Sequence, residues 1–162
     1  AASDVYKRQL SLFALDENKM PSELSEGMRV KFNLLLALSH KAEILILDEP
    51  TAGLDPRGRD EILDQVAFLQ KERKITVLLV SHSMEDVARV AQKVLVMNGG
   101  KVAMYAPTAE VFSRAEELEA IGLAVPHTVE LLYGLRADGF DVPLNALSVD
   151  ACADAIFEAL HK

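Results

Sequence analysis

The sequence predicts an α/β fold, a parallel sheet flanked by helices and followed by a helical tail. Three observations carry that expectation. Two short continuous apolar runs, Ile44–Leu47 and Ile75–Val80, read as strands of a parallel sheet buried on both faces. Between them, Pro56 to about Arg73 places Ile62, Leu63, Val66 and Leu69 on one helical face with charges opposite. Beyond about residue 105 the strand patterns stop and only helical patterns recur.

Taken in order, Ala1–Gln9 is polar and without a clear period, and it is set apart from the fold as a non-native or disordered leader. Leu10–Leu15 reads as the end of a helix, and Asp16 to Glu23 as a loop containing Pro21. Ser25 is placed as an N-cap, with a helix to about His40. Leu34, Leu35, Leu36 and Leu38 leave that helix apolar almost all round, so it is expected to be buried. The first strand ends in Asp48 and Glu49, and Pro50 stops it because it has no N–H for a ladder. Pro56 suits the first turn of the next helix. After the second strand, Ser83-Met84-Glu85-Asp86 matches a helix start that runs to about Ala91. Val94–Met97 and Val102–Tyr105 flank Asn98-Gly99-Gly100-Lys101 as a β-hairpin. In the tail, Thr108 is expected to cap a short helix through Phe112, and Arg114–Ile121 reads as another. Thr128 is expected to start a third, with Val129, Leu132 and Leu135 on one face and Asp138-Gly139 at its end. Ser148 caps a last helix carrying Val149, Cys152, Ile156 and Leu160. The division along the chain is 1–9 leader, 10–105 main α/β domain and 106–162 helical extension.

The net charge of −8 among 162 residues argues against nucleic-acid binding through a basic surface. Cys152 is the single cysteine, so no internal disulfide forms, and its Ala-Cys-Ala setting reads as helix packing rather than a catalytic thiol. No apolar run reaches the roughly 18 residues that span a bilayer, and Ala1–Gln9 does not read as a signal peptide. The expectation is a soluble, cytoplasmic chain whose link to a membrane runs through a partner. His40, His127 and His161 read as surface residues. Glu85-Asp86 and Glu116-Glu117-Glu119 read as solvated helix faces. Cys and His spacing offers no zinc site.

The chemistry concentrates in residues 44–56, Ile-Leu-Ile-Leu-Asp-Glu-Pro-Thr-Ala-Gly-Leu-Asp-Pro. Paired carboxylates at the carboxyl end of a buried strand stand where open α/β sheets place ligand chemistry. An exposed acidic turn would explain the pair alone, but not the ordered run that follows it. The run resembles the Walker B strand and D-loop of ATP-binding cassette (ABC) ATPases, whose fold is a P-loop NTPase-type parallel sheet. Upstream, Leu24-Ser25-Glu26-Gly27-Met28 resembles the ABC signature motif at a helix N-terminus, where free N–H groups and the helix dipole favour anions. Val80-Ser81-His82-Ser83 resembles the H-loop. The resemblance implies ATP and Mg²⁺ as cofactors. It implies Asp48 as the Mg²⁺ carboxylate and Glu49 as the base that orients the attacking water. It implies that His82 contacts the γ-phosphate. Ser25, Gly27 and the D-loop residue Asp55 would face the ATP held by a second subunit, and Asp55 can also cap the helix that begins at Pro56.

No G-x-x-x-x-G-K-[ST] pattern occurs, so the chain reads as the C-terminal part of such an ATPase, inactive on its own. Part of the parallel sheet is then absent, and exposed edges and apolar faces are expected. Asp55-Pro56-Arg57-Gly58-Arg59, Ser81–Asp86 and the tail with Glu110-Val111-Phe112 and Gly122-Leu123 resemble the ATPase subunits of energy-coupling factor (ECF) transporters. That family implies a second ABC ATPase subunit, identical or different, and a transmembrane coupling protein. It implies uptake of vitamins or metal ions from a peripheral position on the cytoplasmic face of the membrane. Two alternatives stay open. Glu26-Gly27-Met28 with Lys31-Phe32-Asn33 is similar to ATPases of ABC-2-type exporters. A non-hydrolysing interaction module is the other.

Overall fold

The structure, a computed structural model, describes residues 13, 15, 16, 18–39 and 42–161. The expectations for the Ala1–Gln9 leader, most of Leu10–Leu15 and His40 lie outside the described residues. Two compact units divide at Val80–Ser81, and each is described by itself. The sequence division at 105/106 follows motifs, whereas packing groups the hairpin with the helices after it.

The first unit is a β–α–β arrangement with a preceding helix. A single 3₁₀ turn, Pro21–Glu23, leads into α1 (Glu26–Ser39). The Ser25 hydroxyl accepts from the Met28 N–H at 3.4 Å, so the expected cap is present. Strand β1 (Ile44–Asp48) pairs in parallel with β2 (Thr76–Val80), from Ile44 opposite Thr76 to Asp48 opposite Val80. Parallel strands need a crossover, and α2 (Pro56–Arg73) supplies it. Asp55 caps α2, its carboxylate accepting from the Gly58 N–H at 2.8 Å, and Pro56 fills the first turn where no N–H is required. Lys74, in the left-handed region at φ 54°, ends it.

Leu34 and Leu35 of α1, Leu69 of α2, Leu45 of β1, Ile75, Phe13 and Leu15 form one core. The predicted α2 face, Ile62, Leu63, Val66 and Leu69, is buried throughout. Ile62 is wholly buried. Ile62→Ala is expected to cost about 2–5 kcal/mol of stability, read as a lowered urea midpoint. A change below 1 kcal/mol would show that the α2 core is not closed around it.

The two strands are not buried on both faces, which corrects the reading from their apolar runs and agrees with the expected exposed apolar faces. Leu45, Leu47, Val77 and Leu79 face the helices, but Ile44 and Ile46 are 63% and 66% exposed, and Leu78 and Val80 are exposed beside them. Among the described residues α1 and α2 pack on the same side, and a strand's alternate side chains then face away. For the same reason Leu36 is exposed although Leu34 and Leu35 are buried.

The second unit begins with α3 (Met84–Val90), capped by the Ser83 hydroxyl, which accepts from the Asp86 N–H at 3.3 Å. Strands β3 (Lys93–Asn98) and β4 (Lys101–Pro107) form the expected antiparallel hairpin. Gly99 and Gly100 both have positive φ, 56° and 74°, the two-residue turn that side-chain-bearing residues resist. Four helices follow: α4 (Thr108–Phe112), α5 (Ala115–Ala120), α6 (His127–Ala137) and α7 (Val149–Leu160). Val96, Val111, Phe112, Leu118 and Val129 form one core, and Leu132, Val142, Ala146 and Cys152 another. The Tyr133 hydroxyl donates to the Ser113 carbonyl at 2.6 Å and accepts from the Ala115 N–H, pinning α6 to the α4–α5 junction.

Two tail expectations, the cap at Thr108 and the start of a helix at Thr128, are corrected, and so is the solvated reading of Asp86. Pro107 and Pro126 occupy the N-cap positions, so Thr108 and Thr128 lie inside the first turns. Their hydroxyls donate instead to the carbonyls of Ala91 and Leu147. Val149 and Leu160 are 75% and 61% exposed, while α7 turns Cys152 and Ala155 inward. Asp86 is not on a solvated face: it is 1% exposed, in the first turn of α3. Glu85, Glu116, Glu117 and Glu119 are exposed as expected, as are His127 and His161.

Candidate functional site

Asp48 is the last residue of β1 and is exposed at its carboxyl end. Glu49 follows in the left-handed region, φ 46°, a conformation that costs a non-glycine residue about 1–2 kcal/mol. Its N–H still donates to the Val80 carbonyl at 2.9 Å, so the ladder holds the backbone while the chain turns away. Two bonds then close the loop: the Ala52 N–H donates to the Glu49 carbonyl at 3.1 Å and the Leu54 N–H to the Thr51 carbonyl at 3.3 Å. Pro50 and Thr51 are buried beneath it. Glu49 is thereby a half-buried carboxylate on a fixed backbone at the sheet's end.

The loop carries Gly53, Leu54 and Asp55 to the N-terminus of α1. Ser25, Glu26 and Gly27 line one open cavity of about 400 Å³ together with Gly53, Leu54 and Asp55. Motifs far apart in sequence are thus brought together. A Cβ on Gly27 would sit 3.6 Å from Leu54 Cδ2, an ordinary contact, so the fold does not itself demand glycine there. Gly53 does need it, at φ 73°. A Cβ on Gly58 would lie 2.7 Å from Asp55 Oδ1, so the cap of α2 depends on that glycine too. The Glu26 carboxylate lies beside Gly53, with Oε2 3.4 Å from where a Cβ would stand. It is exposed, yet it runs along the cavity wall.

His82 belongs to the second unit, two residues past β2, and is exposed. The Ser81 hydroxyl accepts from the Ser83 N–H at 3.1 Å, shaping the turn that presents it. Two cavity residues escaped the sequence reading. Lys31 Nζ lies 2.6 Å from Glu61 Oε2, joining α1 to α2, and Arg57 Nε lies 3.3 Å from Glu61 Oε1. The Lys31 hydrogen bond and charge, then Arg57, hold the Glu61 carboxyl below the usual carboxylate range. Nothing local in sequence marks a pair on two different helices. Burial pushes the Cys152 thiol up, in keeping with a packing role.

A family profile described as AAA domain, AbiEii toxin, Type IV TA system matches residues 16–86. The ECF transporter ATP-binding protein EcfA2 of Clostridium perfringens is 40% identical over 160 residues, covering 96% of this chain and 56% of that protein. EcfA2 of Acetivibrio thermocellus is 46% identical over 159 residues, covering 96% of this chain and 57% of its own length. The chain therefore spans about half the length of the curated relatives it matches. Among solved structures, CbiO1 of Clostridium perfringens, part of the ABC transporter complex cbiONQ, is similar with a TM-score of 0.63 and 31% identity. That match covers 79% of this chain and 52% of the other. An inward-facing metal-chelate type ABC transporter is similar with a TM-score of 0.66 and 25% identity, over 73% of this chain and 47% of the other.

In sequence and fold this chain is similar to the ABC ATPases, with the α/β architecture of part of their nucleotide-binding domain. Within that class it resembles the ATP-binding proteins of ECF transporters.

Proposed function

We propose that this chain supplies the signature, Walker B, D-loop and H-loop part of an ABC transporter ATPase, coupling ATP hydrolysis to transport. One observation carries the reading: the loop after Asp48-Glu49 meets the N-terminus of α1, so that Ser25, Gly27 and Asp55 share one cavity. The fourteen-residue α1 offers free N–H groups and a positive dipole end, which fit a phosphate. Mg²⁺ takes one or two carboxylates and fills its remaining positions with water and phosphate, and the exposed Asp48 suits that donor role. When bound, Mg²⁺ neutralises phosphate charge. Glu49 orients the attacking water and accepts its proton, His82 donates to a phosphate oxygen, and Ser25 and Gly27 receive the phosphate of a nucleotide held by a second subunit.

The resemblance to ECF proteins favours uptake of vitamins or metal ions, with a transmembrane coupling protein as partner and a peripheral position on the cytoplasmic face of the membrane. No helix among the described residues is long and apolar enough to cross a bilayer. In this proposal contact with the membrane runs through that partner. Glu26-Gly27-Met28 with Lys31-Phe32-Asn33 favours an ABC-2-type exporter as the second reading. The deciding test is transport in cells: vitamin or metal uptake restored by a hybrid in which the N-terminal portion of C. perfringens EcfA2 precedes this chain. Family resemblance implies that the donated portion carries the P-loop. Restored ATPase without uptake would favour the exporter. A hybrid that binds ATP and does not hydrolyse it would leave the interaction module.

The 162-residue polypeptide is expected to show no Mg²⁺-dependent ATPase activity by itself, because it contains no phosphate-cradling P-loop pattern. Turnover by the purified chain, abolished by Glu49→Gln, would contradict this.

A further inference from the structure

We propose that Lys31 and Glu61 are a positioning pair that holds the signature turn and the D-loop in register around their shared cavity. The inference rests on the reading above and adds two residues to it. Each lies six residues past its helix's N-cap, Lys31 after Ser25 and Glu61 after Asp55. Their side chains meet at 2.6 Å, with Lys31 only 13% exposed, and both line the cavity. The fully buried part of the core that joins α1 to α2 lies further along the helices, at Leu34, Leu35 and Leu69, with Met28, Val30 and Phe32 packed against it nearer the cavity. Gly27 and Leu54 line the same cavity wall beside the pair. A charge-assisted bond there sets how far Ser25 and Gly27 stand from Gly53 and Asp55. The charged groups facing Glu61 are Lys31 from α1 and Arg57 from its own helix, with Glu26 and Asp55 elsewhere on the cavity wall.

Two amides report the register directly. The Met28 N–H is bonded to Ser25 Oγ and the Gly58 N–H to Asp55 Oδ1. A reference amide lies away from the cavity: the Thr76 N–H, bonded to the Glu43 carbonyl at 2.9 Å. In the 162-residue chain, Lys31→Ala and Glu61→Gln are expected to speed hydrogen exchange at Met28 and Gly58 by about tenfold and leave Thr76 unchanged. Lys31→Arg is expected to restore the parent rates. Glu61 is held ionised in the folded state, so its contribution is present above the usual Glu value of about 4.3 and is lost as pH falls through its lower folded value. Acidification should therefore loosen the Met28 probe, whose acceptor is a hydroxyl, in the parent and not in Glu61→Gln, after correction for intrinsic rates. The Gly58 probe is left out of this comparison because its acceptor is itself a carboxylate. Unchanged probe rates, no rescue by arginine, or equal acceleration at Thr76 would each overturn the positioning role. In the hybrid the same substitutions are expected to lower kcat and leave ATP affinity intact. Loss of affinity alone would assign Lys31 to the nucleotide and overturn the proposal. The exchange measurement needs no nucleotide, so its failure is distinct from failure of the proposed function.

Discussion

Replacing Glu49 with Gln in the hybrid is expected to remove most ATP turnover while leaving ATP binding in place. The amide keeps the shape of the side chain and loses the basic oxygen. Positioned general bases contribute on the order of 10²–10⁴-fold, and the loss should fall in that range. Glu49 makes this test clean because its backbone is pinned independently of its side chain, through its N–H to Val80 and its carbonyl to the Ala52 N–H. Asp48 should behave differently. Asp48→Asn is expected to raise the Mg²⁺ requirement, since that carboxylate is the proposed metal donor. Near-parent turnover in Glu49→Gln, measured at saturating Mg²⁺ and ATP, would show that another group activates water.

The second large effect is expected at the signature turn. Ser25→Arg fills the cavity mouth, and Gly27→Asp places a carboxylate where a phosphate would lie. Two like charges about 4 Å apart cost on the order of 4 kcal/mol at an effective dielectric of 20, about a thousandfold in rate. The loss should not come from misfolding, because a side chain at Gly27 meets Leu54 only at ordinary contact distance. Glu26→Gly is expected to change turnover little. Its carboxylate is exposed to screening water, and as the first residue of α1 it favours the positive helix end by roughly 0.3–1 kcal/mol. The carboxylate does lie along the cavity wall beside Gly53, however. A strong gain of activity in Glu26→Gly would therefore mean that it represses the site. Parent-like turnover in Gly27→Asp, in a variant whose urea midpoint is also parent-like, would separate this cavity from the reaction.

Much of this arrangement was legible from local patterns. Caps at Ser25, Asp55, Ser83 and Ser148 are short-range chemistry, a side-chain oxygen and an N–H three residues on, and all four are present. The α2 face was legible because one amphipathic period runs through Ile62, Leu63, Val66 and Leu69 without interruption. The hairpin turn was legible because Gly99 and Gly100 suit a backbone that few other residues adopt. What the pattern could not report is which faces acquire neighbours. A continuous apolar strand is the same string whether one side is covered or two, so the runs alone did not report the exposure of Ile44 and Ile46; the missing P-loop pattern, which led to the expectation of exposed apolar faces, did. Asp86 looked like one more charge on a helix, and its burial is decided by tertiary packing. Thr108 looked like a cap and Thr128 like a helix start, but a preceding proline had already set each helix entry. The Lys31–Glu61 pair joins helices separated by a strand and a loop, beyond the reach of any short-range rule.

The claim at the centre of this account is that Ser25 and Gly27 act on a nucleotide held by another subunit. Light scattering on the Glu49→Gln hybrid tests it most directly. ATP with Mg²⁺ is predicted to double the mass by closing a dimer, and Ser25→Arg in the same background is predicted to prevent the doubling while ATP still binds. A hybrid that binds ATP as a monomer, or a dimer indifferent to Ser25→Arg, would contradict it.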